Sequence, residues 1–204
     1  MTLRRFLANT SGASAAEFVL VLPMLLILIF GTIDVGLYAW RLNELEKAAQ
    51  YAVRFAVVTA PVAEALATQD YTGSTACGAA LTAGDAVCAA ALSATVCTNS
   101  GNCTCTGNCP ASLTRNASAF ANLLARAKVL APWLTDSNLR VEYRGSGLGY
   151  AGDTGMDVAP LVTVKLQGAT YSPITSFIFG SLPISLPSVE RTLTMEDGQG
   201  SVSN

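Results

Sequence analysis

The sequence predicts an α+β protein in which a long N-terminal transmembrane helix precedes a small domain of helices and an antiparallel sheet. Three observations carry this expectation. Residues 18–33 read FVLVLPMLLILIFGTI, with no charge. Helix-forming residues then continue to the first strong breaker, Pro61. Past residue 135 the apolar spacing changes from every third or fourth position to every second, the period of a strand.

The first element is the membrane helix. Phe18 to Leu37 spans twenty residues, enough for a helix to cross about 30 Å of hydrocarbon. Twelve residues from Phe18 to Ile33 are Leu, Ile, Val or Phe, each favouring insertion by roughly 0.3–0.6 kcal/mol at the centre. That outweighs Pro23, which removes one helical hydrogen bond and is expected to bend the helix slightly. Asp34 lies near the far end of the span, where an interfacial carboxylate is much less costly than a central one. Tyr38 and Trp40 follow, at the level that suits amphipathic aromatics. Arg4 and Arg5 precede the span, and basic residues stay on the cytoplasmic side, so the remainder is expected to face the periplasm or exterior. A secretory signal has an apolar core of about 7–15 residues and a small-residue cleavage site. Here the run is longer and no A-x-A site follows, so an anchored chain is expected rather than a released one.

The same helix is expected to continue from Arg41 to Thr59. Leu42, Leu45, Ala49, Ala52 and Ala56 recur at three- and four-residue spacings and form an apolar stripe. Glu44 and Lys47 read as an exposed pair on the polar side, and Arg54 as a solvated or locally paired side chain.

Just before the apolar run stand Gly12-Ala13-Ser14-Ala15-Ala16-Glu17-Phe18. This resembles the class III, prepilin-type signal. The resemblance implies that a prepilin peptidase cuts between Gly12 and Ala13, and that Glu17, then the fifth residue, pairs with a neighbouring subunit's amine during assembly. A carboxylate at a membrane boundary is costly unless hydrated or paired, and in a first helical turn it meets the positive dipole end. The plainer alternative for Glu17 is a hydrated helix-terminal carboxylate. Glu17-Phe18, Leu20-Val21-Leu22-Pro23, Phe30-Gly31, Asp34 and Gly36 further resemble the N-terminal segment of TadE/TadG-like proteins, minor pseudopilins of tight-adherence (Flp) pilus systems. That family's later Ala-Ala and Arg-Gly-Ala-Arg signature is only partly kept, as Ala48-Ala49 and Ala52-Val53-Arg54-Phe55-Ala56.

The exported half begins with a short helix over residues 62–68. Residues 76–110 hold all six cysteines, Cys77, Cys88, Cys97, Cys103, Cys105 and Cys109. An even number in a short exported stretch reads as local disulfide stapling, with fifteen possible pairings left open. Ser118 to Ala131 has helical spacing through Phe120, Leu123, Leu124, Ala127 and Leu130, stopped by Pro132. Strands are expected at Leu139–Tyr143, at Leu161–Leu166 and near Ser188 to Met195, where Val189, Arg191, Leu193 and Met195 share a face. Ser172 to Leu186 reads either as a short amphipathic helix or as a loop packed on the sheet. The glycine-rich stretch Gly145 to Asp157 reads as a solvated turn; its Asp153 and Asp157 fit no EF-hand spacing. A long helix followed by a small antiparallel sheet is the coarse architecture of pilin-like proteins.

Composition excludes several function classes. Charged residues make up 13% of the chain, against about 25% in a typical soluble domain. No basic block exists to neutralise phosphates, so no nucleic-acid partner is expected. The chain has no His, which removes the commonest general base and Ser-His-Asp or Cys-His catalysis. Paired C-x2-C knuckles are absent, so no metal and no cofactor is expected. Glu142, Asp153, Asp157 and Glu190 show no spacing that argues for a carboxylate pair, which leaves a tethered hydrolase the weakest reading.

The expected organisation is a leader over 1–12, a transmembrane and extended helix over 13–60, and a periplasmic or extracellular domain over 61–204. The leading expectation is a non-enzymatic, minor pilin-like component of pilus assembly. It would sit in a bacterial inner membrane as a single-pass protein with a cytoplasmic N-terminus, open to incorporation into a pilus. Its partners would be the lipid bilayer, the prepilin peptidase, other pilin-like subunits and pilus assembly proteins. The alternative is an unprocessed, membrane-anchored binding or adhesion module.

Overall fold

The computed structural model describes residues 13–180, 182–196 and 198. They form two compact units: the chain up to Trp40 together with Tyr171–Ile184, and Arg41–Thr170 together with the chain from Ser185. One element runs through both, the helix α1 at Ala13–Ala56, 44 residues long, or about 66 Å at 1.5 Å per residue. Pro23 lies inside it without ending it. The helix stops three residues short of the expected Thr59, whose hydroxyl donates instead to the Phe55 carbonyl at 2.8 Å.

In the larger unit, Leu45, Ala48, Ala49, Ala52, Val53 and Ala56 of α1 are buried. The expected exposed pair of Glu44 with Lys47 is not what forms. Glu44 is half-buried, accepting from Arg41 and from the Trp133 indole Nε1, both at 3.1 Å. Helix α2 at Ala117–Lys128 buries Phe120, Leu123 and Ala127, and Asn116 caps it by accepting from the Ala119 N–H at 2.9 Å. Its Arg126 lies over the rings of Tyr51 and Phe55 of α1, at 4.8 and 5.2 Å. The expected helix at 62–68 is a 3-10 turn, Glu64–Ala67.

Five strands form an antiparallel sheet in the order β2-β1-β3-β4-β7. These are β1 Thr95–Cys97, β2 Thr104–Cys105, β3 Leu139–Arg144, β4 Leu161–Leu166 and β7 Val189–Thr194. Alternation fixes the register of the central pair. Leu139, Val141 and Tyr143 stand opposite Leu166, Val164 and Val162, and all six are buried. Along β7 only Val189 and the following Met195 are buried, because the strand is an edge and leaves Arg191 and Leu193 partly in solvent.

The cysteines form three local disulfides, Cys77–Cys88, Cys97–Cys103 and Cys105–Cys109. Cys97–Cys103 is buried and braces the β1–β2 pair, two strands that sequence periodicity did not reveal. Three residues and two are too few to show a period.

The smaller unit contains α1 up to Trp40 and a return segment at Tyr171–Ile184. Strands β5 Thr170–Tyr171 and β6 Ile184–Ser185 pair, with the short helix α3 Ser176–Phe179 between them. Of the two expectations for Ser172 to Leu186, the short helix is present; it folds with the N-terminal part of α1 rather than packing as a loop on the sheet.

Candidate functional site

The smaller unit is organised around one carboxylate. Phe30, Asp34 and Tyr38 recur every four residues and so share one face of α1. Asp34 Oδ1 accepts from the Tyr171 hydroxyl at 2.9 Å and from the Ile174 N–H at 2.7 Å. Its Oδ2 accepts from the Thr175 N–H at 2.9 Å and the Thr175 hydroxyl at 2.7 Å. Four donors fill the roughly four lone-pair positions of an ionised carboxylate, and Asp34 is 8% exposed. One turn earlier, Phe30 meets the edge of Phe177 with ring centroids 6.2 Å apart. One turn later, Tyr38 meets Tyr171 in the same edge-on way, also at 6.2 Å.

The sequence placed Asp34 at an interface but did not supply its partners, which lie 137 to 141 residues further on. The signal that could have found the site is a polar residue flanked at i−4 and i+4 by aromatics on an apolar helix. Such a face needs a cover that brings its own donors.

The other residues singled out from sequence are dispersed. Gly12 lies outside the described residues, and Ala13 opens α1. Glu17 and Phe18 are exposed in the first turns, Pro23 is exposed, and Gly31 is half-buried one residue after Phe30. The six cysteines lie in the larger unit. Arg54 is exposed on α1.

The larger unit holds a second buried carboxylate, Asp157, at 2% exposure. It accepts from the N–H groups of Tyr71 at 2.7 Å and of Gly152 and Asp153, both at 3.0 Å. The glycine-rich stretch is therefore a loop closed on a buried anion, not the solvated turn expected. A Cβ on Gly149 would run into the backbone at Asp157 and Val158, which accounts for glycine there. Three N–H donors aimed at Asp157 also make a poor seat for a cation, which needs free oxygens. Partial burial pushes the Glu142 carboxyl up, but hydrogen bonds from Arg144 and Arg140 outweigh it and hold it below the usual range. Glu190 pairs with Lys165 at 3.3 Å. Among the described residues no group of three or more His, Cys, Asp or Glu could hold a metal ion.

Among the described residues, these features define one helix long and apolar enough to cross a membrane, with its large apolar side chains mostly bare over the N-terminal half, and a disulfide-stapled α+β unit. Residues 12–54 match a family described as TadE-like protein, about a fifth of the chain. The matched stretch contains Asp34 and Glu17 and excludes the return segment. No curated protein and no solved structure matches the chain.

Proposed function

We propose that this protein is a minor pilin-like component of a tight-adherence type pilus assembly, anchored in the bacterial inner membrane by α1. The observation that carries the reading is the coincidence of the matched stretch, residues 12–54, with a helix whose large apolar side chains are bare up to Trp40. Leu20, Met24 and Leu28 need lipid or neighbouring helices, since water is an unfavourable solvent for so many adjacent apolar groups. In this reading a prepilin peptidase removes residues 1–12 by cutting between Gly12 and Ala13. Glu17, one turn into the mature helix, then meets the new amine of a neighbouring subunit. The positive residues Arg4 and Arg5 hold the leader in the cytoplasm, and the larger unit works in the periplasm. Three disulfides fit an oxidising compartment. The role is structural, with other pilin-like subunits and pilus assembly proteins as partners.

The test is the N-terminal residue of the protein purified from membranes, read by intact mass and terminal peptide mass spectrometry. A start at Ala13 is expected. A start at Met1 sinks processing and leaves a permanently anchored binding or adhesion module as the better account.

A further inference from the structure

We infer that the return segment Tyr171–Ile184 is a second membrane contact, a short insert lying among lipid acyl chains beside the outer end of α1. The inference rests on α1 being a membrane anchor, though not on any role in a pilus. Tyr38 and Trp40 place the interface, and at 1.5 Å per residue Asp34 lies about 6 Å, and Phe30 about 12 Å, deeper along the helix. Phe177 touches Phe30 and is 72% exposed on its other sides. A side chain seated against the span at that level has lipid as its neighbour.

Hydrocarbon demands that backbone polar groups be satisfied within the protein, and four consecutive N–H groups of the segment, 174–177, have acceptors. Pro173 has no N–H to satisfy. The N–H groups of Ile174 and Thr175 go to Asp34, that of Ser176 to the Pro173 carbonyl at 3.1 Å, and that of Phe177 to the Ile174 carbonyl at 3.4 Å. Asp34 and the segment thus solve each other's problem: a carboxylate at that depth needs donors, and the N–H groups of Ile174 and Thr175, just before α3, need an acceptor.

Composition points the same way. No charged residue occurs between Lys165 and Glu190. Residues 86–114 are also uncharged, but they are mostly small and polar. The return segment instead exposes Ile174, Phe177, Leu182 and Ile184 within eleven positions, the apolar side of an interfacial element.

The experiment places one new tryptophan at a time in the full chain, reconstituted in phosphatidylcholine vesicles brominated at both shallow and deep positions of the acyl chains. Emission gained over the parent, which keeps Trp40 and Trp133, is compared with that in unbrominated vesicles. Leu28→Trp reports on the anchor, and Phe177→Trp and Leu182→Trp on the segment. The inference expects bromine to remove most of the gained emission at 28 and 177, and part of it at 182. Quenching at 28 with none at 177 or 182 overturns it: red-shifted emission then means water covers the segment, and blue-shifted emission means protein does. No quenching at 28 overturns the membrane anchor itself, and the inference with it. Adding Asp34→Ala to Phe177→Trp is expected to abolish the quenching at 177; unchanged quenching overturns Asp34 as the clasp.

Discussion

The two halves of α1 are one continuous helix with opposite surroundings. Up to Trp40 its large apolar side chains are mostly bare, with Leu28 at 66% exposure; from Leu45 onward one apolar face is covered, with Leu45 itself at 0%. Apolar character alone does not separate them, because Ala48, Ala49, Ala52 and Ala56 are less hydrophobic than the exposed leucines yet far more buried. What covers them does. Protein packs on the second half, where Arg126 of α2 lies over Tyr51 and Phe55, whereas the Leu and Ile of the first half present the deep apolar surface that suits lipid. The change falls at Arg41, where the two compact units also divide.

The sharpest way to break this comparison is to make the same substitution on both sides of it. Leu45→Ala removes a fully buried side chain and is expected to destabilise the larger unit by about 2–5 kcal/mol. Leu28→Ala touches no protein core; it should leave that unit's urea midpoint unchanged and weaken membrane insertion by about 0.3–0.6 kcal/mol. Equal shifts in the urea midpoint would mean that the exposed half of α1 is not a membrane surface. The disulfides come next. Removing Cys77–Cys88, with a sequence separation of 11, should cost about 3 kcal/mol in the chain-entropy account, and removing Cys105–Cys109, with a separation of 4, about 2 kcal/mol. Paired Cys→Ser variants compared by urea melts would read the difference.

The fold was legible wherever one element carried enough periods to speak. The α1 pattern, the apolar face of α2 and the strands β3, β4 and β7 could be read because each runs six residues or more. Strands β1 and β2 could not, since their conformation comes from pairing with each other, from β1 pairing with β3 and from the Cys97–Cys103 bridge rather than from local preference. The partners of the two buried aspartates were hidden for a related reason. Asp34 reads only as interfacial, and the stretch holding Asp157 as a solvated turn, because decisive donors belong to distant segments: Tyr171 and Thr175 for one, Tyr71 for the other. A carboxylate that staples two segments has no local signature except the glycines or aromatics that crowd around it.

Those two aspartates allow a finer comparison. Both accept from several donors that include backbone N–H groups, but Asp157 belongs to the unit with a conventional core. Asp157→Ala would leave the N–H groups of Tyr71, Gly152 and Asp153 without their acceptor. With one such group remaining buried, the cost is about 1–3 kcal/mol, and hydrogen exchange at Gly152 and Asp153 should accelerate. Asp157→Asn keeps an acceptor oxygen and should recover part of the loss. If Ala and Asn behave alike, the loop is held by its glycines and not by the anion.

The smallest expected effect is on acid stability, and it concerns the larger unit. Glu142 sits on β3 between Arg140 and Arg144, and their hydrogen bonds and charges outweigh partial burial to hold its carboxyl below the ordinary value of 4.5. A carboxyl lowered by folding stabilises the native state at pH above its unfolded value, and that contribution is lost as pH falls through the folded one. Asp70 and Asp85 are lowered as well, chiefly by backbone hydrogen bonds from Thr72 and Thr82, and add to the same acid limb. Because Arg144 is largely exposed, screening keeps the Glu142 share well below about 1 kcal/mol. Glu142→Gln should therefore shift neutral-pH stability only slightly while making the urea midpoint less steep between about pH 5 and pH 3. An unchanged slope would mean that the arginines pair with Glu142 as strongly in the unfolded chain as on the strand, leaving the acid limb to the turn aspartates.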